Sequence, residues 1–137
     1  MVIITSTVRQ REAVSLFSRR CVGALNATSG AWIWTFTSAQ SSGILVDAVF
    51  TVALSADSQY VAVGSWGDDK NVNPQLHVFK GWGGDGAVLG SLSTSGSVMS
   101  VLMYHQDSSL RIVIAALDQH ENYGVLGGNV TLLSLAL

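Results

Sequence analysis

The sequence predicts an all-β fold of about two and a half four-stranded β-propeller blades in an incomplete ring. Three observations lead there. Runs of β-branched and aromatic residues are separated by Gly, Ser, Asn and Asp, and helix-period stretches are scarce. Charged residues make up 12 % of the 137 residues against 48 % apolar ones, whereas about 25 % charge is usual in globular chains. Short apolar motifs also recur at one spacing: Val22-Gly-Ala-Leu25, Leu76-His-Val-Phe79 and Val130-Thr-Leu-Leu133 are each 54 residues apart. Periods of about 40–55 residues with four strands per unit mark propeller blades. One such sheet cannot cover both of its faces, so the units stack face to face.

The first strands fall at 2–6, 21–25 and 31–36, a partial blade within residues 1–36. Between them, 7–20 reads as a long connection in which QREAVSLF suggests a helical turn. A complete blade over 48–92 follows, with strands at 48–54, 60–65, 75–79 and 87–92. A partial third, 97–135, has strands at 97–103, 111–117 and 129–135. Counted from the axis, 48–54 and 97–103 take the first place in their blades, while 2–6, 60–65 and 111–117 take the second. All of this forms one domain, 1–137. The segment VFTVALSADSQYVAVGS is echoed by SVMSVLMYHQDSSLRIVIAAL, each an apolar strand, an Asp-Ser turn and a second apolar strand. Asp and Ser side chains stabilise such turns by bonding the nearby backbone. Gly64, Ala115 and Ala116 are small enough to let neighbouring blades approach closely.

One motif carries a family resemblance. Ala24-Leu-Asn26-Ala-Thr-Ser29-Gly30-Ala-Trp-Ile-Trp34 resembles the tryptophan-docking motif, A-x-D-x-x-T-G-x-x-x-W, of quinoprotein-like (pyrroloquinoline-quinone-type) propeller repeats, with Asn26 for the Asp and Ser29 for the Thr. SADSQYVAVGS is similar to the first turn and second strand of many quinoprotein-like and WD-repeat-like blades. The resemblance implies that Asn26 and Ser29 cap the turn, that Gly30 supplies a positive φ and that Trp34 docks on the next blade. Trp32, Trp34 and Phe36 would share a face by the period of two. The second blade departs from the motif, reading Lys80-GWGGDG-Ala87 with no Trp four residues after its last Gly. Quinoprotein dehydrogenases hold their cofactor on a complete ring, often under adjacent cysteines. This chain has one cysteine, Cys21, so no cofactor-binding residue is carried over and no cofactor is expected.

GWGGDG also satisfies G-x-G-x-x-G, but a dinucleotide fingerprint needs a helix after the glycines and an acid about 20 residues on. Here AVLGSLSTSGSV follows, with strand character and further Gly and Ser. It reads as a hairpin loop. Asp69-Lys-Asn71-Val-Asn73 has the alternate-oxygen spacing of a calcium loop, yet Pro74 and Lys80 stand where an EF-hand requires Gly and Glu. The polar connection is favoured, with a calcium-stabilised propeller using Asp68, Asp69 and Asn71 as a weaker alternative.

Function is expected on the loops that join second and third strands, since propellers place binding groups on loops over a rigid scaffold. Two such loops bring Trp66, Asp68 and Asp69 from one blade and His120, Glu121 and Tyr123 from the next. Together they are the candidate binding face. No metal site and no catalytic constellation are legible: there is no second His near His120 and no G-x-S-x-G elbow. His77 reads as structural and His105 as a turn residue. Arg9, Arg11, Arg19 and Arg20 make residues 1–20 basic, but the rest is acidic and lacks a basic stripe, so a nucleic-acid partner is not expected. No apolar run approaches the roughly 18–20 residues of a membrane span. The reading is a non-catalytic binding or scaffold module, either a fragment of a longer propeller or a subunit that completes its ring by association, with a protein partner or self-association; the alternative is part of a quinoprotein-type dehydrogenase or another propeller enzyme.

Overall fold

The computed structural model describes residues 2–8, 11–18, 21–26, 28–37, 49–66, 72–80, 87–119 and 127–137; over 2–21 and 36–37 the description is of backbone and pairing. Eleven strands lie among them, in three antiparallel sheets. Sheet I contains β1 (Val2–Val8), β2 (Arg11–Ser18), β3 (Cys21–Asn26) and β4 (Trp32–Thr37), in that order. Sheet II contains β5 (Val49–Leu54), β6 (Tyr60–Ser65), β7 (Leu76–Lys80) and β8 (Val88–Leu92). Sheet III contains β9 (Val98–Gln106), β10 (Ser109–Leu117) and β11 (Gly128–Ala136). Each sheet is a meander in which every strand pairs with its neighbour in sequence.

Sheet I corrects the reading of the N-terminal segment. Residues 11–18 form a strand, neither a connection nor a helical turn, and pair with β1 from Val8↔Arg11 to Val2↔Phe17. On its other side the same segment pairs with β3, from Ala13↔Asn26 to Ser18↔Cys21. The first sheet therefore has four strands, and 2–8 takes the first place in it rather than the second.

The pairing registers repeat. In sheet I, Ala24↔Trp34 is followed across a bulge by Leu25↔Trp32; in sheet II, Val78↔Gly90 is followed across a bulge by Phe79↔Val88. Sheets II and III share a second irregularity, with Val49↔Ser65 and Thr51↔Gly64 matching Val98↔Ala116 and Ser100↔Ala115. The first strands border one another: β5 lies beside both β1 and β9.

Sheet II is covered on both faces. Val49, Val52, Val61, Val63 and Phe79 meet Val22, Ala24 and Trp34 of sheet I. On the opposite face, Ala62, Leu76 and Val78 meet Val98, Val101, Leu110, Ile112, Ile114 and Ala116 of sheet III. This explains why β6 is buried from Val61 to Ser65 without alternation. Gly64 is small for a stated reason: a Cβ there would lie 2.6 Å from both Val98 Cγ1 and Thr51 Cγ2.

The bulge in β4 also corrects the shared aromatic face. A bulge sets two residues opposite one and so interrupts alternation. Trp34 is buried toward sheet II, whereas the Trp32 ring covers Gly23 on the other face of sheet I and is 52 % exposed. The Phe36 side chain lies outside the described residues.

Candidate functional site

The β3–β4 turn is built by the short polar side chains of its sequence. Asn26 Oδ1 accepts from the N–H groups of Thr28 and Ser29, both at 3.0 Å, and Ser29 Oγ accepts from the Ala31 N–H at 3.3 Å. Gly30 has φ +69°, a left-handed conformation that costs glycine little. Its N–H donates to the Asn26 carbonyl at 2.8 Å. Beyond the turn, Trp34 stacks on Phe79 of sheet II at 6.0 Å, and Phe79 in turn stacks on His77 at 6.1 Å. Ala24 lies in the same buried cluster. This motif joins two sheets and presents no reactive group.

Of the loop residues named as a binding face, Trp66 is described. It packs against Phe50 at 5.5 Å, and its carbonyl accepts from the Ser97 hydroxyl at 3.2 Å. Asp68, Asp69, Asn71, His120, Glu121 and Tyr123 lie outside the described residues. The loops that hold them leave equivalent strand ends, closed by Ser65 N–H to the Gln75 carbonyl at 2.8 Å and Asp118 N–H to the Gly127 carbonyl at 3.2 Å. GWGGDG, 81–86, is likewise outside; its flanks are antiparallel neighbours, with Lys80 N–H donating to the Ala87 carbonyl at 2.9 Å. The element after it is strand β8, so the segment joins two strands rather than a strand and a helix.

The ionisable groups are few. His77 is 1 % exposed, and burial, which disfavours the charged imidazolium, lowers its pKa to about 4. Among the described residues its Nδ1 has no hydrogen-bond partner. His105, in the β9–β10 hairpin, places Nε2 3.2 Å from Asp57 Oδ2 in the β5–β6 turn, with the Tyr60 ring 6.0 Å away. Burial alone would raise the Asp57 carboxyl. The Ser55 hydroxyl (2.6 Å) and the Gln59 N–H (3.0 Å), with His105, outweigh that and hold it below its usual value. Among the described residues, no group of three His, Cys, Asp or Glu converges as a metal site would.

Sequence reasoning missed the most conspicuous surface. The face of sheet III turned away from sheet II is largely apolar and open, with Leu102 65 % exposed, Val130 74 % and Leu132 59 %, and with Arg111, Tyr104 and Ser134 paired toward the hairpin end of the same side. At one end it holds a depression of about 590 Å³ bordered by Met99, Ala115, Gly127, Gly128 and Val130. The sequence signal was present in NVTLLSLAL, whose residues carry no charge, so that neither side of β11 is marked as solvent-facing. A second cavity, about 180 Å³, lies between sheets II and III beside Gly90.

No family model matches the chain, and no curated protein matches it. Among solved structures it is similar to the crystal structure of Kluyvelomyces marxianus Hsv2, at 16 % identity and a TM-score of 0.44. That match covers 98 % of this chain and 49 % of that one, so the chain spans about half the length of the structure it matches.

Proposed function

We propose that the chain is a non-catalytic binding or scaffold module made of β-propeller blades, which completes its ring by association. The observation that carries this reading is the contrast between sheets II and III: sheet II is covered on both faces, while sheet III leaves an apolar face open. Apolar patches of this kind on a soluble protein mark interaction surfaces. The repeated meanders and the adjacency of β1, β5 and β9 are what a radial arrangement of blades requires. The turn from Asn26 to Trp34 supports placing the blades in the quinoprotein-like class, as a structural device rather than a cofactor site.

A propeller enzyme would gather charged groups on its first strands, around the axis. Here β5 reads VFTVAL and β9 opens VMSVLM, without a charged side chain. Association is therefore the better reading. The test is the molar mass of the purified chain by light scattering over a range of concentrations. A discrete multiple of the chain mass supports completion by association, and a single-chain mass throughout refutes it.

A further inference from the structure

The open face of sheet III is the counterpart, position for position, of the covered face of sheet II. The registers align Ala53↔Ala62↔Val78 with Leu102↔Val113↔Leu132, and Gly64↔Leu76 with Ala115↔Val130. Leu76 and Val78 lie beneath sheet III at 1 % and 4 % exposure, whereas their counterparts Val130 and Leu132 stand at 74 % and 59 %. Val98 fills the space above Gly64. Above the counterpart, Ala115, the structure has the depression of about 590 Å³.

The complementary face repeats as well. Sheet III seats on sheet II through Val101 and Ile114 among others, and sheet II seats on sheet I through the corresponding Val52 and Val63. In sheet I the same register positions are held by Ile3 and Leu16: Ile3↔Leu16↔Gly23 matches Val52↔Val63↔His77. That face of sheet I is not the one turned to sheet II, and its described aromatic, Trp32, is 52 % exposed. Sheets I and III thus present two unlike outer faces, and the register positions on each are those of one half of an interface formed twice among the three described sheets.

We infer that the open face of sheet III seats sheet I of a second copy of this chain, head to tail. The proposal rests on the module reading above and names its partner and its surface. The interface is heterologous, so one copy's acceptor face meets the other's donor face, and two copies close when both pairs of faces are engaged.

Complementation of two damaged chains tests it. Leu132→Asp places a charge on the acceptor face and Trp32→Asp on the donor face; both sites are exposed, and a cooperative unfolding transition of each separated chain, below that of the associated wild type because association itself stabilises, confirms that each still folds. Light scattering should give twice the chain mass for the wild type, a single-chain mass for each variant alone, and twice the chain mass again for their equimolar mixture, through the one intact pair of faces. A Trp32→Asp chain that dimerises alone would set sheet III against sheet III and overturn the proposal. A wild-type oligomer that neither substitution disturbs would overturn this assignment of faces while the module reading stands. A wild type that stays a single chain at every concentration overturns both.

Discussion

Gly90 holds in sheet II the position that Trp34 holds in sheet I, each opposite the residue before the bulge. Trp34 is 7 % exposed and reaches across to the next sheet. Gly90 leaves that reach unmade: a Cβ built there meets nothing within 4 Å, and the adjoining cavity of about 180 Å³ is walled by Leu76, Val78, Ile112, Leu133 and Leu135. Gly90→Trp should therefore stabilise the protein by joining sheets II and III as Trp34 joins I and II. A sealed void of this size corresponds to about 4 kcal/mol at about 24 cal/mol per Å³. Burying about 200 Å² of aromatic surface at about 25 cal/mol per Å² gives about 5 kcal/mol, which is the same gain reckoned another way. Two effects reduce it. The cavity is open at its mouth, and Val78 replaces the smaller Ala24 as the cross-strand neighbour, where overpacking costs about 1–3 kcal/mol. The expected net gain is about 1–3 kcal/mol. Gly90→Ala is the control, because removing a glycine from a strand interior contributes about 0.5–1 kcal/mol without filling anything. Urea unfolding of the three proteins reads the difference. A Trp variant with a midpoint at or below that of the Ala variant would refute the equivalence of the two positions.

Three further outcomes are expected. Trp34→Ala removes the buried ring stacked on Phe79 and should cost about 3–5 kcal/mol in the same assay. Asn26→Ala deletes the acceptor of two backbone bonds and should cost about 1–2 kcal/mol, at about 1 kcal/mol per bond, whereas Asn26→Asp, which keeps the oxygen, should recover most of that loss. The third concerns pH. The folded pKa of His77, about 4, lies below the value of 6.5 for the free side chain, so between these values the unfolded chain binds the extra proton. Stability is then full above about pH 6.5, falls as the pH drops toward 4 and levels off below it as far as this group is concerned. At about 1.4 kcal/mol per pH unit of separation the full loss approaches about 3.5 kcal/mol. Denaturant unfolding of His77→Leu between pH 4 and 7 should lack that slope, and an unaltered slope would assign it to another group.

Much of this architecture was legible in the chain. The 54-residue spacing of VGAL, LHVF and VTLL marks the third strand of each sheet, because one backbone register recurs and each copy needs apolar residues at the same places. The turn around Asn26 was equally legible, since its hydrogen bonds are local and depend on which short polar residues stand two or three apart. Strand β2 was obscured by Arg11 and Glu12 at its start. A charged opening resembles a connection until the partner strands β1 and β3 are in place on either side. The loop residues Asp68, Asp69, His120, Glu121 and Tyr123 could be named from composition, but their chemistry depends on convergence, which spacing along a chain does not fix.

By itself, then, the sequence determined ten of the eleven described strands, their turns and the period on which they repeat, because these depend on local residue pattern and on contacts a few residues apart. Only the tertiary structure decided which faces are covered. Alternation gives a strand two faces but does not say how many will be buried, and a bulge such as that in β4 sends Trp32 and Trp34 to opposite sides. Leu76 and Val130 occupy the same register position on similar strands; one is buried and the other exposed because a third sheet lies over the first and no described sheet lies over the second. Burial is a property of the neighbour as much as of the residue, and the neighbour is supplied by the fold.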